Sequence, residues 1–208
     1  MEIIKNIEQG SKEWHDLRLG LVTASRVKDV MTKGRGNAPS KAAETYMYEL
    51  LAELMTGEAK PFFENDAMRW GTETEPQARA MYEIKNNVNV DEVAFILSGE
   101  TGNLGVSPDG LVGENGLIEI KCPTTITQLK RSQSENPYID YYDQIQCQLW
   151  VSGREWCDFV SFDPRLDIEA GYIQVRVEAD IEYIKGMKLK VLAFIEELTK
   201  LNNKLLGE

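Results

Sequence analysis

Histidine is nearly missing from this 208-residue chain, in which His15 is the only one. A site with several histidine ligands is therefore excluded, and serine chemistry that depends on a histidine has a single residue to draw on. Cysteine is almost as scarce. Cys122, Cys147 and Cys157 are an odd set without CxxC spacing, which points away from a disulfide framework and from zinc or iron–sulfur sites. No run of about twenty apolar residues occurs, and MEIIKNIEQG shows no basic region followed by an apolar core; the expectation is a soluble intracellular protein with no membrane partner. Repeats, low-complexity tracts and long Pro/Gly/Ser linkers are absent, so residues 1–208 read as a single domain with a sizeable core. Positive charge is also short: 23 Lys and Arg against 34 Asp and Glu leave a net charge of −11. Taken alone, that counts against a nucleic-acid partner. It is compatible with one if the carboxylates crowd around a cation and the positive charge is confined to a few positions.

What is present centres on SPDGLVGENGLIEIKC, Ser107 to Cys122. Apolar runs, Gly105-Val106 leading into Leu111-Val112 and then Leu117-Ile118, flank Glu114-Asn115-Gly116, and Asn-Gly is a strong signal for a tight hairpin. In the second arm Ile118 and Ile120 share one face, while Glu119 and Lys121 share an exposed or cleft-lining one. The turn can carry Asp109 back towards Glu119. Two carboxylates, a lysine and the Ile120 carbonyl suit a hard divalent cation such as Mg²⁺, with the lysine placed to orient or deprotonate a water attacking a phosphodiester. On an isolated strand the same E-x-K is more often an ordinary solvated face.

The remaining elements follow in chain order. In GSKEWHDLRLGLVTAS, Trp14, Leu17 and Leu21 fall at helical spacings, Thr23 or Ser25 is a cap for the next helix, and spacing alone leaves Arg18 in solvent. The loop Lys33-Gly34-Arg35-Gly36-Asn37 is basic and glycine-rich but lacks the GK[ST] ending of a nucleotide-binding loop. A helix over about Lys41 to Met55 carries Tyr46, Leu50, Leu51 and Leu54 as its apolar stripe. Thr72 or Thr74 is expected to cap a further helix with Pro76 in its first turn, and Glu75 there complements the helix dipole or faces the hairpin as a third acid. Lys130-Arg131 reads as an exposed connection. YYDQIQCQLWVS reads as a helix with Ile145 and Leu149 inward and Gln144 and Gln148 walling a polar cleft. Trp156 to Phe162 and Tyr172 to Glu178 read as strands, and Asp180 caps a long helix that covers the sheet or meets another subunit.

In order, WHDLRLGLVTAS, RWGTETEPQARAMYE, SPDGLVGENGLIEIKCP, YYDQIQCQLWVSGREW and FVSFDPR resemble the lambda exonuclease (YqaJ-like) viral recombinases of the PD-(D/E)XK nuclease superfamily. The resemblance implies an α/β fold, a central mixed sheet flanked by helices with a restriction-endonuclease-like core. It implies that Asp109, Glu119 and the Ile120 carbonyl bind metal, that Glu75 completes the shell directly or through water, and that Lys121 handles the attacking water. Gln144 matches the active-site helix glutamine. Arg18 and Ser25 match the 5′-phosphate site, and Arg35 a basic-loop DNA contact. Implied as well are Mg²⁺, as two ions with Mn²⁺ able to substitute, and a homotrimeric ring on linear double-stranded DNA. Such an enzyme digests the 5′-ended strand to mononucleotides, leaves a 3′ overhang and works with a single-strand annealing protein, in the cytoplasm of a bacterium hosting a phage or prophage. Pro76, directly after Glu75, departs from the family pattern.

Two alternatives remain open on sequence grounds. An endonuclease or repair nuclease of the same superfamily would cut closed circles, which a strict exonuclease cannot enter. A non-catalytic module that binds a recombination protein would have no need of the intact Asp109, Glu119 and Lys121.

Overall fold

The computed structural model describes residues 1–36, 38–60 and 64–207. The chain begins with β1 (Glu2–Ile4), α1 (Lys12–Leu17), β2 (Val22–Thr23), α2 (Val27–Met31), α3 (Lys41–Thr56) and α4 (Asp66–Asn86). Short strands follow as β3 (Val90–Asp91), β4 (Phe95–Leu97), β5 (Leu104–Val106) and β6 (Gly110–Val112), then β7 (Gly116–Lys121). The last part is α5 (Thr125–Ser132), α6 (Tyr142–Ser152), β8 (Trp156–Phe162), α7 (Ile168–Gly171), β9 (Tyr172–Glu178) and α8 (Ile181–Leu206). Two mixed sheets result, ordered β1-β4-β5-β2 and β3-β6-β7-β8-β9.

The larger sheet is built on β7, antiparallel to β6 and parallel to β8. Alternation along β7 feeds two cores. Ile118 and Ile120 pack with Ala78 and Tyr82 of α4 and with Val160 and Phe162 of β8. Leu117 joins the other cluster, with Ile145, Leu149, Phe159 and Met187. The mixed α/β architecture expected from the resemblance is therefore present.

Several local expectations are corrected. Asn115-Gly116 does close the β6–β7 hairpin, but Gly105-Val106 belongs to β5 in the smaller sheet, because Ser107-Pro108-Asp109 bends the chain between the sheets. Helix α1 stops at Leu17 and the chain turns at Gly20, whose φ of +67° suits glycine and where a Cβ would overlap Leu54; Val22 and Thr23 then pair with β5 instead of continuing a helix. Leu54 is 45% exposed and lies outside the buried stripe of α3. The cap of α4 is Asn65, which accepts from Met68 N at 2.9 Å, not Thr72 or Thr74. Pro76 thus lies mid-helix, and the carbonyl it leaves unpaired belongs to Thr72, another exposed position. Lys130-Arg131 is in α5, and Arg131 is buried. Helix α8 has its expected Asp180 cap and buries Met187, Val191, Ile195 and Leu198, but it packs on α2, α3 and α6 instead of the sheet. In the basic loop, Asn37 lies outside the described residues.

Candidate active site at the β6–β7 hairpin

Asp109 arrives on a bend that other parts of the chain hold down. Gln9 Nε2 donates to the carbonyls of Pro108 at 3.1 Å and Val93 at 2.8 Å. The Trp14 indole donates to the Ala94 carbonyl at 2.9 Å and to Ser107 Oγ at 3.2 Å. Gly110 admits no side chain, since a Cβ there would overlap Val90. Asp109 Oδ2 then accepts from the Ile120 amide at 2.6 Å, which draws the carboxylate onto the strand that carries Glu119.

Glu119 has no exposed surface, and a buried carboxylate persists only where donors surround it. Gln144 Nε2 donates to its Oε1 at 2.6 Å, Gln148 Nε2 donates to its Oε2 at 2.7 Å, and the Lys121 ammonium pairs with Oε1. The face read as exposed or cleft-lining is thus roofed by α6. Lys121 also lies 5.1 Å from the centre of the Tyr141 ring. That ring is stacked on Phe159, and its hydroxyl accepts from Arg131 Nη2 at 2.9 Å; Arg131 also donates to Ser161 Oγ at 3.0 Å. These tertiary partners explain why Arg131 is buried.

Glu75 projects from α4 towards the same cluster, with Arg79 Nη2 2.6 Å from its Oε1 and Glu92 2.9 Å from Arg79 Nη1. Both Glu75 and Asp109 line a cavity of about 970 Å³ that also touches Gln9, Trp14 and Arg79. Burial raises the Asp109 pKa well above the ordinary carboxylate value, and the Glu119 and Glu75 charges push the same way. Burial likewise raises Glu75, with Arg79 and Lys121 opposing. Burial works against the Lys121 ammonium, but Glu119 and Asp109 overcome it and hold that pKa above the usual lysine value. Three mutually repelling acids around one lysine have an unmet demand for positive charge.

That demand is the test for a cation. Among the described residues, no three His, Cys, Asp or Glu side chains form a ready ligand shell. Asp109 and Glu119 instead offer an incomplete set of oxygens, which fits a hard ion that keeps several waters, as Mg²⁺ does. The residues present fit such an ion.

Arg18 stands at a second cavity, of about 360 Å³, with His15, Thr23, Arg26 and Lys60 among its walls. It is not solvated. Its guanidinium lies 3.7 Å from the centre of the Trp14 ring, its buried Nε has no hydrogen-bond partner, and burial pushes its pKa down to about 10, still charged at neutral pH. Trp14 therefore links this cavity to the Ser107–Asp109 bend. Ser25 is exposed, with its Oγ 3.4 Å from Thr23 Oγ1 at the cavity wall. Arg35 is exposed in its loop and lines neither cavity. Sequence reasoning missed Gln9, Tyr141 and Arg131 as neighbours of the site, since Gln9 reaches Pro108 and Arg131 reaches Ser161 across long sequence separations; Arg79, by contrast, is one helical turn from Glu75.

The mixed α/β architecture is the one that alkaline exonucleases share. The chain belongs to the YqaJ-like viral recombinase domain family, whose model matches residues 13–155. An alkaline exonuclease from Laribacter hongkongensis superimposes with a TM-score of 0.83 at 42% identity, over 95% of this chain and 97% of that one. The structure of LHK-Exo in complex with dAMP gives a TM-score of 0.82 at 43% identity, over 94% and 96%. A phage-related exonuclease from Haemophilus somnus 129PT shares the fold, with a TM-score of 0.70 at 17% identity over 89% and 96%. The uncharacterized protein R354 of Acanthamoeba polyphaga mimivirus is 26% identical over 182 residues, and this chain spans about 30% of its length.

Proposed function

We propose that the protein is a Mg²⁺-dependent 5′-to-3′ exonuclease that digests one strand of linear double-stranded DNA from its 5′-phosphorylated end. It releases mononucleotides and leaves a 3′ overhang for a single-strand annealing protein. The observation that carries this reading is the convergence of Asp109, Glu119 and Lys121 under α6. Similarity to an exonuclease solved with dAMP supports a nucleotide-sized product.

In this reading Asp109, Glu119 and the Ile120 carbonyl would hold the metal, as two ions, and Glu75 would reach it directly or through water. Bound Mg²⁺, or Mn²⁺ in its place, supplies positive charge for the attacking water and the departing 3′ oxygen. Lys121, charged and fixed by Glu119 and Tyr141, orients the water by hydrogen bonding. Gln144 keeps Glu119 aimed from the cleft side. Arg18 receives the terminal 5′-phosphate with Ser25 nearby, and Arg35 contacts the DNA backbone from its loop. Residues 1–208 act as one domain, three copies close a ring around the duplex, and the protein works in the bacterial cytoplasm. A ring explains how an acidic chain stays on DNA without a broad basic surface.

Lys121→Ala tests the chemistry. Cleavage should fall by at least about 100-fold while binding to duplex DNA persists, because general acid–base and water-orienting groups contribute on that scale. Retained cleavage removes Lys121 from the role.

A further inference from the structure

Helix α6 buries two glutamines completely, and they are bonded in different ways. Gln146 is satisfied at both ends of its amide: Nε2 donates to the Glu178 carbonyl at 2.9 Å, and Oε1 accepts from Asp180 N at 2.8 Å. It ties α6 to the segment that enters α8. Gln148 donates to Glu119 Oε2 at 2.7 Å, but its own Oε1 is buried without a partner. An orphaned buried acceptor is costly, so a glutamine serving the fold alone would be expected to resemble Gln146. Turning the Gln148 amide over would set Oε1 against Glu119 Oε2, two acceptors face to face. The donor is therefore committed to the carboxylate.

We propose that Gln148 is a positioning residue, holding Glu119 from behind so that one lone pair of Oε2 stays directed at a divalent cation; this rests on the proposed role of Glu119 as ligand. A carboxylate offers about four lone-pair positions. At Oε1, Lys121 and Gln144 take both. At Oε2, Gln148 takes one and leaves one. Gln144 and Gln148, one helical turn apart, thus grip the two oxygens separately and stop the carboxylate from rotating. Gln144 is half-buried, whereas Gln148 is fully buried.

The test is calorimetric titration of Mn²⁺ into the full chain without DNA, with melting temperatures measured alongside. Gln148→Met keeps the length and removes the donor. It should weaken Mn²⁺ binding by about 10-fold or more, the usual cost of losing a partner that orients a ligand. Gln146→Met should lower the melting temperature and leave the affinity unchanged. Should Gln148→Met fail to fold, Gln148→Ala carries the same expectation. Unchanged Mn²⁺ affinity in the folded Gln148 variant, beside a Glu119→Ala chain that has lost binding, overturns the role of Gln148 alone. Binding that survives Glu119→Ala, or a native chain that binds no Mn²⁺, overturns the ligand reading and this proposal together.

Discussion

A fully buried carboxylate beside two half-buried ones is an arrangement that a stable fold avoids unless charge arrives to neutralise it. Asp109 makes this measurable. Its folded pKa is raised by burial and then by Glu119, above an unfolded value of about 3.9. The native state therefore holds that proton more tightly than the unfolded chain. The resulting stability is fully present below the unfolded pKa and is lost as pH rises through the folded one. In chelator, Asp109→Asn keeps an acceptor for the Ile120 amide but cannot ionise, so its melting temperature relative to the native chain should climb as pH rises from about 4 through neutrality. A difference that stays flat across that range contradicts strong repulsion at Asp109. At this scale the sequence showed residue types and strand alternation, enough to place Glu119 and Lys121 on one face of β7. It did not show that Arg131 is buried, because Ser161 and Tyr141 are brought to it only by tertiary packing.

At the scale of elements, α6 was the most legible: glutamines at i and i+4 on a largely apolar helix have one direction in which to converge. The start of α4 was misread because proline in a first turn is the commoner pattern, whereas the chain places Pro76 on the exposed side of a helix already capped at Asn65. Helix α1 was also shorter than its apolar spacing implied, since backbone pairing with β5 claims Val22 and Thr23. That early stop puts Arg18 at the helix end, over Trp14 and at the wall of its cavity. Arg18→Ala should reduce the preference for 5′-phosphate over 5′-hydroxyl ends by about 10-fold or more, in line with the loss of a charge-assisted contact. Initial rates on the two duplexes give the ratio, and an unchanged ratio removes Arg18 from the end site.

Across the whole molecule, the chain passes from one mixed sheet to the other at Ser107-Pro108-Asp109, and the 970 Å³ cavity opens beside that junction, with Asp109 in its wall. The net charge of −11 sits uneasily with a DNA partner until part of it is assigned to the acids around β7 and, as the proposed function has it, the grip on DNA to a closed ring. No helix among the described residues is long and apolar enough to cross a membrane. The mixed α/β class was legible from the family resemblance, and one hairpin signal, two further strand patterns and several helical stripes agree with it. How the smaller sheet pairs was not, because its strands are two or three residues long and carry little periodicity. The most direct measurement is nucleotide release from linear duplex DNA with one labelled 5′-phosphorylated end, in Mg²⁺ and in chelator, beside a closed-circular control. Early mononucleotide release from the labelled end, abolished by chelator and absent on circles that offer a ring no end to thread, is the predicted result. Cleavage of the circles, or no hydrolysis with either Mg²⁺ or Mn²⁺, would contradict the account.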